Sequence, residues 1–170
     1  RYHKIFRDAL RQRLADTLVP EEIDELNRRA ARWYFANGLS DQAIFHALEA
    51  NDLDLAAFYM EQSLCDVLNR EDRPTMERWL GMLPEEAIKS NPALLIMRGF
   101  AYGFRWELGM LSRSAQEAET LLDQDDASEH TQTLRALINV MKGQAFYHVN
   151  QYNEVIGPCR QAIAELPEDW

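Results

Sequence analysis

The residues with the chemistry to hold a ligand are aromatic, and they cluster late in the chain. Phe100, Tyr102, Phe104 and Trp106 occupy alternate positions of one helical stretch, with Gly99 and Gly103 among them. Alternate positions spread around a helix instead of lining one face, so all four cannot be core. Phe100, Gly103 and Trp106 share one stripe, while Tyr102 and Arg105 share another. One aromatic is left to face a groove. Tyr147 and His148 recur one repeat later at a comparable height. Tyr102, Arg105, Trp106, Tyr147 and His148 are therefore the candidate ligand-binding residues. The competing reading packs all of these rings between helices.

Other chemistries find little support. A phosphate loop needs G-x-x-x-x-G-K-[ST], and the lysines stand only at 4, 89 and 142, none in that setting. There is no H-E-x-x-H and no paired His/Cys spacing for zinc. His3, His46, His130 and His148 are scattered and read as surface or packing residues. The run Asp123-Gln124-Asp125-Asp126-Ala127-Ser128-Glu129 fails as a calcium loop. Counted from Asp123, Ala127 and Leu134 fall where an oxygen ligand and a glutamate are required. Asp125-Asp126-x-x-Glu129 is similar to the acidic motif of prenyl-diphosphate enzymes over those five residues only. Such enzymes need a larger helical barrel and a second metal motif, and neither is found. The run reads as a capped loop. No catalytic residue, metal ligand or cofactor is expected, and the chain is not read as an enzyme.

The elements that must position these residues are helical. Leu and Ala dominate the apolar residues, and both favour helices over strands. The composition, 46% hydrophobic and 27% charged, is that of an ordinary globular domain. A net charge of -10 disfavours direct nucleic-acid contact and an anionic membrane surface. No apolar run approaches the roughly 20 residues that span a bilayer. Cys65 and Cys159 lie far apart without a C-x-x-C, which fits a reduced, cytoplasmic protein. No leader peptide is legible, and the chain reads as a piece of a longer protein.

Periodicity places helices at Tyr2 to Leu18, from Pro20 to a stop at Gly38, and from Ser40 or Asp41 to Asn51. It places others over Leu53 to Asn69, Thr75 to Leu83, Asn91 to Leu108 and Leu111 to Leu122. Two more run from Ser128 to Val149 and from Tyr152 to Leu166. Gly109 is read as the turn between two of them, and Asp126 with Glu129 as a capping box. Arg98-Gly99-Phe100-Ala101-Tyr102 matches Lys142-Gly143-Gln144-Ala145-Phe146 at an offset of 44 residues. Ala31 to Leu48 is a shorter version: small residue, aromatics, turn, second helix. This is the logic of tetratricopeptide (TPR) repeats, stretched beyond the usual length of about 34 residues. The expected fold is all-α, a right-handed superhelix of stacked TPR-like hairpins with about 8–9 helices.

Tyr2-His3-Lys4-Ile5-Phe6-Arg7-Asp8-Ala9-Leu10-Arg11-Gln12-Arg13-Leu14 resembles a signature of the large ATP-dependent LuxR-family transcriptional regulators, the MalT-like group. Leu26 to Tyr34, then Gly38-Leu39, Gln42-Ala43-Ile44, His46-Ala47-Leu48, Ala50 and Asp52 are similar to the stretch that follows in that family. Met76 to Leu80 with Leu83-Pro84-Glu85-Glu86 resembles a further motif. The resemblance implies that residues 1–18 close a winged-helix or linker region and that residues 19–170 are the TPR-like helical domain. It implies a segment that senses a small-molecule inducer or regulatory protein and couples it to self-association. ATP-binding and DNA-binding modules of such transcription regulators lie outside this segment. Ala30 to Asp52 would be a joint between the ATPase and the sensor, with Trp33 and Tyr34 packing it. The rival reading is a TPR-like protein–protein scaffold that binds a peptide or partner protein and no small molecule.

Overall fold

The computed structural model describes residues 4–122, 126 and 128–166, with the side chains of 4–8, 11 and 15 excepted. The readings placed on Tyr2, His3, Asp123 to Asp125, Ala127 and Pro167 to Trp170 lie outside the described residues, as does most of the side-chain pattern of the first family-like motif. Every regular element among the described residues is a helix: α1 (Lys4–Thr17), α2 (Pro20–Ala36), α3 (Ser40–Glu49), α4 (Leu53–Gln62), α5 (Leu64–Asn69), α6 (Arg73–Leu80), α7 (Glu85–Lys89), α8 (Pro92–Phe104), α9 (Leu108–Leu121), α10 (Glu129–His148) and α11 (Tyr152–Glu165). That makes eleven among the described residues, where 8–9 were expected. The stretch Leu53 to Asn69 breaks at Ser63 into two helices, and Pro84-Glu85-Glu86 opens a short one of its own. Among the described residues no helix is long and apolar enough to cross a membrane.

The chain divides into two compact units, residues 1–60 and 61–170. In the first, α2 and α3 form an antiparallel hairpin around Ala31, Ala43, Ile44 and Ala47, all fully buried. The ring of Tyr34 stacks on His46, with centroids 5.2 Å apart and planes within 8°. His46 Nδ1 lies 2.9 Å from Asn27 Oδ1. Phe35 stacks on Tyr59 of α4 at 4.4 Å, and Arg28 Nε donates to Asp52 Oδ2 at 3.0 Å. Tyr34 is thus half-buried within the hairpin, whereas Trp33 is 59% exposed, because it stands one position round the helix from the buried stripe.

The second unit is built on α8. Its Leu94, Leu95, Ile96 and Met97 are buried to 1% or less, and α6, α7, α9 and α10 all pack on it. A helix apolar nearly all round can only be central. Gly99 and Gly103 let its neighbours approach closely: a Cβ at Gly99 would meet Ser114 at 3.2 Å and run into Met141, and one at Gly103 would meet Leu111 at 2.8 Å. Arg98 ties the elements at the surface of this core. Its Nη1 donates to Glu85 Oε1 at 2.8 Å and its Nη2 to Glu117 Oε2 at 3.0 Å, joining α8 to α7 and α9. The hydrogen bond from Arg98, more than any other influence, holds the Glu85 carboxyl below its ordinary range.

The helix starts are chemically ordinary but not always where the spacing puts them. Asp72, Asn91 and Ser128 accept hydrogen bonds from the first-turn amides of α6, α8 and α10. The cap of α10 is thus Ser128, not Asp126. Asp126 sits two residues upstream and accepts from Thr131 Oγ1 at 2.6 Å and from the Ser128 amide at 2.9 Å. At α3 the cap position is Leu39, without a side-chain bond, and Ser40 is already helical. Glu22 accepts from the Val19 amide at 3.1 Å, half of a capping box, since valine has no oxygen for the other half.

Candidate functional site

Five helices end in the same way. At each, one residue takes the left-handed backbone conformation: Gly38 (φ 72°), Asn51 (53°), Glu71 (51°), Trp106 (62°) and Asn150 (60°). At each, the amide of the following residue donates to the carbonyl five residues back: Leu39 to Tyr34, Asp52 to Ala47, Asp72 to Val67, Glu107 to Tyr102 and Gln151 to Phe146. This is the Schellman ending of a helix, which satisfies carbonyls that the helix leaves without partners. Glycine and asparagine fill that position at little cost. Tryptophan does not: a Cβ there crowds the backbone by roughly 1–2 kcal/mol. The turn falls at Trp106, not at Gly109, which lies inside α9 as an ordinary helical residue. Helix α8 ends accordingly at Phe104 instead of Leu108.

The consequence is an exposed ring. Trp106 is 70% exposed, the second most exposed large apolar side chain among the described residues. Its indole meets the His148 imidazole edge-on, with centroids 4.6 Å apart and planes at 63°. His148 in turn meets Tyr147 at 5.3 Å and 75°, and Tyr147 meets Tyr152 at 5.8 Å and 68°. Such edge-to-face pairs suit the ring quadrupoles. The four rings form one surface series running from the α8–α9 turn across the end of α10 to the start of α11. Tyr147 and Tyr152 are more than half exposed, and the Tyr152 hydroxyl donates to Asn150 Oδ1 at 2.7 Å. Beside the series, the α10–α11 turn frames a polar hollow of about 520 Å³, lined by Phe146, Asn150, Gln151, Tyr152, Asn153 and Glu154.

Of the five residues expected to line a groove, three come together: Trp106, Tyr147 and His148. Arg105 is engaged elsewhere. Its Nε lies 2.8 Å from Glu107 Oε1 and its Nη1 3.6 Å from Glu77 Oε1, so its charge is partly met by α6 and by the turn itself. Tyr102 is half-buried, and its carbonyl serves the turn as acceptor for Glu107. The helical stripe that grouped Trp106 with Phe100 does not exist, because Trp106 has left the helix. Tyr152 was not among the expected residues. Its signal was present, an aromatic two residues after the turn residue Asn150, but it was counted as a helix start.

The arrangement offers flat, half-exposed rings flanked by amide side chains, suited to stacking and hydrogen bonding. Among the described residues no group of three His, Cys, Asp or Glu side chains is placed to hold a metal ion, and Cys65 and Cys159 are not joined in a disulfide. The chain matches no family model, and no solved structure matches it.

Proposed function

We propose that this chain is a ligand-sensing and interaction segment of TPR-like helical hairpins, in which the Trp106–His148–Tyr147–Tyr152 series is the binding wall. The observation that supports it most is Trp106 itself: a large ring kept in a strained backbone conformation and left 70% exposed. Strain of this kind clusters at ligand clamps and active sites, and here it comes with an exposed ring. The fuller reading draws on the resemblance to MalT-like, LuxR-family regulators. The hairpins stack into a right-handed superhelix in the cytoplasm. An inducer or a regulatory protein occupies the wall and shifts an equilibrium toward self-association of the full regulator. ATP and DNA are handled by other modules, and this segment carries no catalysis.

The test is a fragment screen by calorimetry and thermal shift, with Trp106→Ala as the counter-screen. Hits that stabilise the native chain and lose at least tenfold in affinity against a folded Trp106→Ala variant support the sensor. The scaffold reading expects peptides to bind and no small molecule to shift the melting temperature. Hits that bind Trp106→Ala undiminished sink the assignment of the wall.

A further inference from the structure

Among the described residues, three buried side-chain polar atoms have no hydrogen-bond partner: Glu77 Oε1, Arg98 Nε and Glu165 Oε2. The first two still belong to ion pairs. Glu77 Oε1 lies 3.6 Å from Arg105 Nη1, and Arg98 is held through both its Nη atoms. Glu165 has only a neutral partner, Gln161, whose Nε2 donates to its Oε1 at 2.9 Å. It is also the last residue of α11, where a negative charge opposes the partial negative charge of the helix end. An acid so placed is stabilised neither by its helix nor by a cation of the fold. It borders a polar hollow of about 430 Å³ framed by α9, α10 and α11. Asn139 of α10 borders the same hollow, is 9% exposed, and makes no side-chain hydrogen bond among the described residues. Two polar groups withdrawn from solvent on two helices, neither satisfied by the fold, call for a ligand to complete them.

The charges of the lining select the ligand. Glu119 and Glu165 supply two acids, and Arg135 and Lys142 two bases. A bare cation or a bare anion meets as much repulsion as attraction in such a lining, whereas a molecule carrying both charges is matched at both ends. Lys142 is held to Glu119 at 2.6 Å, which leaves Glu165 as the acid short of a cation. Leu122 and Ile138 supply the apolar part of the lining. We infer that the hollow binds a small zwitterion of the α-amino-acid class. Its ammonium donates to Glu165 Oε2 and to the Asn139 side-chain oxygen, its carboxylate meets Arg135 and Lys142, and an aliphatic side chain rests on Leu122 and Ile138. The charge-assisted bond to Oε2 gives the acid the partner that the fold withholds. The hollow has the size of an ordinary small-molecule site. It shares no residue with the Trp106–His148–Tyr147–Tyr152 wall, and the inference does not rest on that reading.

The test is calorimetric titration of the whole chain with L-leucine, and in parallel with isoamylamine and isocaproate, which lack its carboxylate and its amino group respectively. Saturable binding of L-leucine at one site per chain is expected, with each truncated probe at least tenfold weaker. Glu165→Gln should weaken L-leucine at least tenfold, while the free variant melts no lower than the native chain, because the charge it removes has no cation in the fold. Trp106→Ala should leave the affinity for L-leucine unchanged. Absence of saturable binding up to the solubility of L-leucine overturns the site, as does equal binding to Glu165→Gln. Isoamylamine that binds as tightly as L-leucine overturns the zwitterion. A free Glu165→Gln variant that melts lower shows that the fold already satisfies the carboxylate, and overturns the argument for the site. Loss of L-leucine binding in folded Trp106→Ala overturns the location and assigns the ligand to the wall.

Discussion

At the scale of single residues, the informative positions are those where side-chain type and backbone conformation disagree. Gly38, Asn51 and Asn150 sit in left-handed turns that suit them, and their types announced those turns. Trp106 and Glu71 sit in the same turn against their preference, and no local rule selects either. Gly109, three residues beyond Trp106, drew the turn by its type while standing inside α9. A direct check follows. A Cβ at Gly109 meets nothing within 4 Å, so Gly109→Ala should stabilise the second unit by about 1 kcal/mol, read as a rise in melting temperature. Were Gly109 the turn, the same substitution would lower it. Residues engaged by charge were equally illegible. Arg105 looked available on its helix stripe, and only the fold brings Glu77 of α6 within 3.6 Å.

At the scale of elements, the stripes of Leu, Ile, Met and Ala were enough to place α2, α8, α10 and α11 to within a few residues, because buried faces repeat every three or four positions. They were not enough to find the break at Ser63, where both sides carry the same apolar pattern. Nor did they show which helix is central. That follows from α8 being buried almost all round, with glycines at two crossings. Ionic ties between elements add a pH dependence. Glu85 is held below its ordinary range, chiefly by its hydrogen bond from Arg98. A carboxyl with a lowered folded value contributes stability above its ordinary value of 4.5, and that contribution is lost as the pH falls through the lowered one. Acid unfolding below about pH 4.5 should therefore be less steep in Glu85→Gln than in the native chain, followed by circular dichroism across the titration. Identical slopes would show that the Arg98 tie contributes nothing measurable at this exposed site.

At the scale of the whole molecule, the all-helical class was legible from composition alone, and the 44-residue repeat from five matched residues. The candidate wall was half legible. Repetition put Trp106 and Tyr147 at comparable heights, but the contact between their hairpins depends on how α10 crosses α8, which no local pattern encodes.

The central claim is that Trp106 is kept at a backbone cost because its ring binds. Trp106→Gly tests it most directly, since glycine relieves the left-handed strain and removes the ring together. Thermal melts of the native chain and the variant, each with and without the small-molecule hits of the fragment screen, give both halves of the answer. The account predicts that the variant alone melts higher, by the equivalent of about 1 kcal/mol, and that the hits no longer raise its melting temperature. A variant that melts lower than the native chain, or one that the hits stabilise as before, would contradict it.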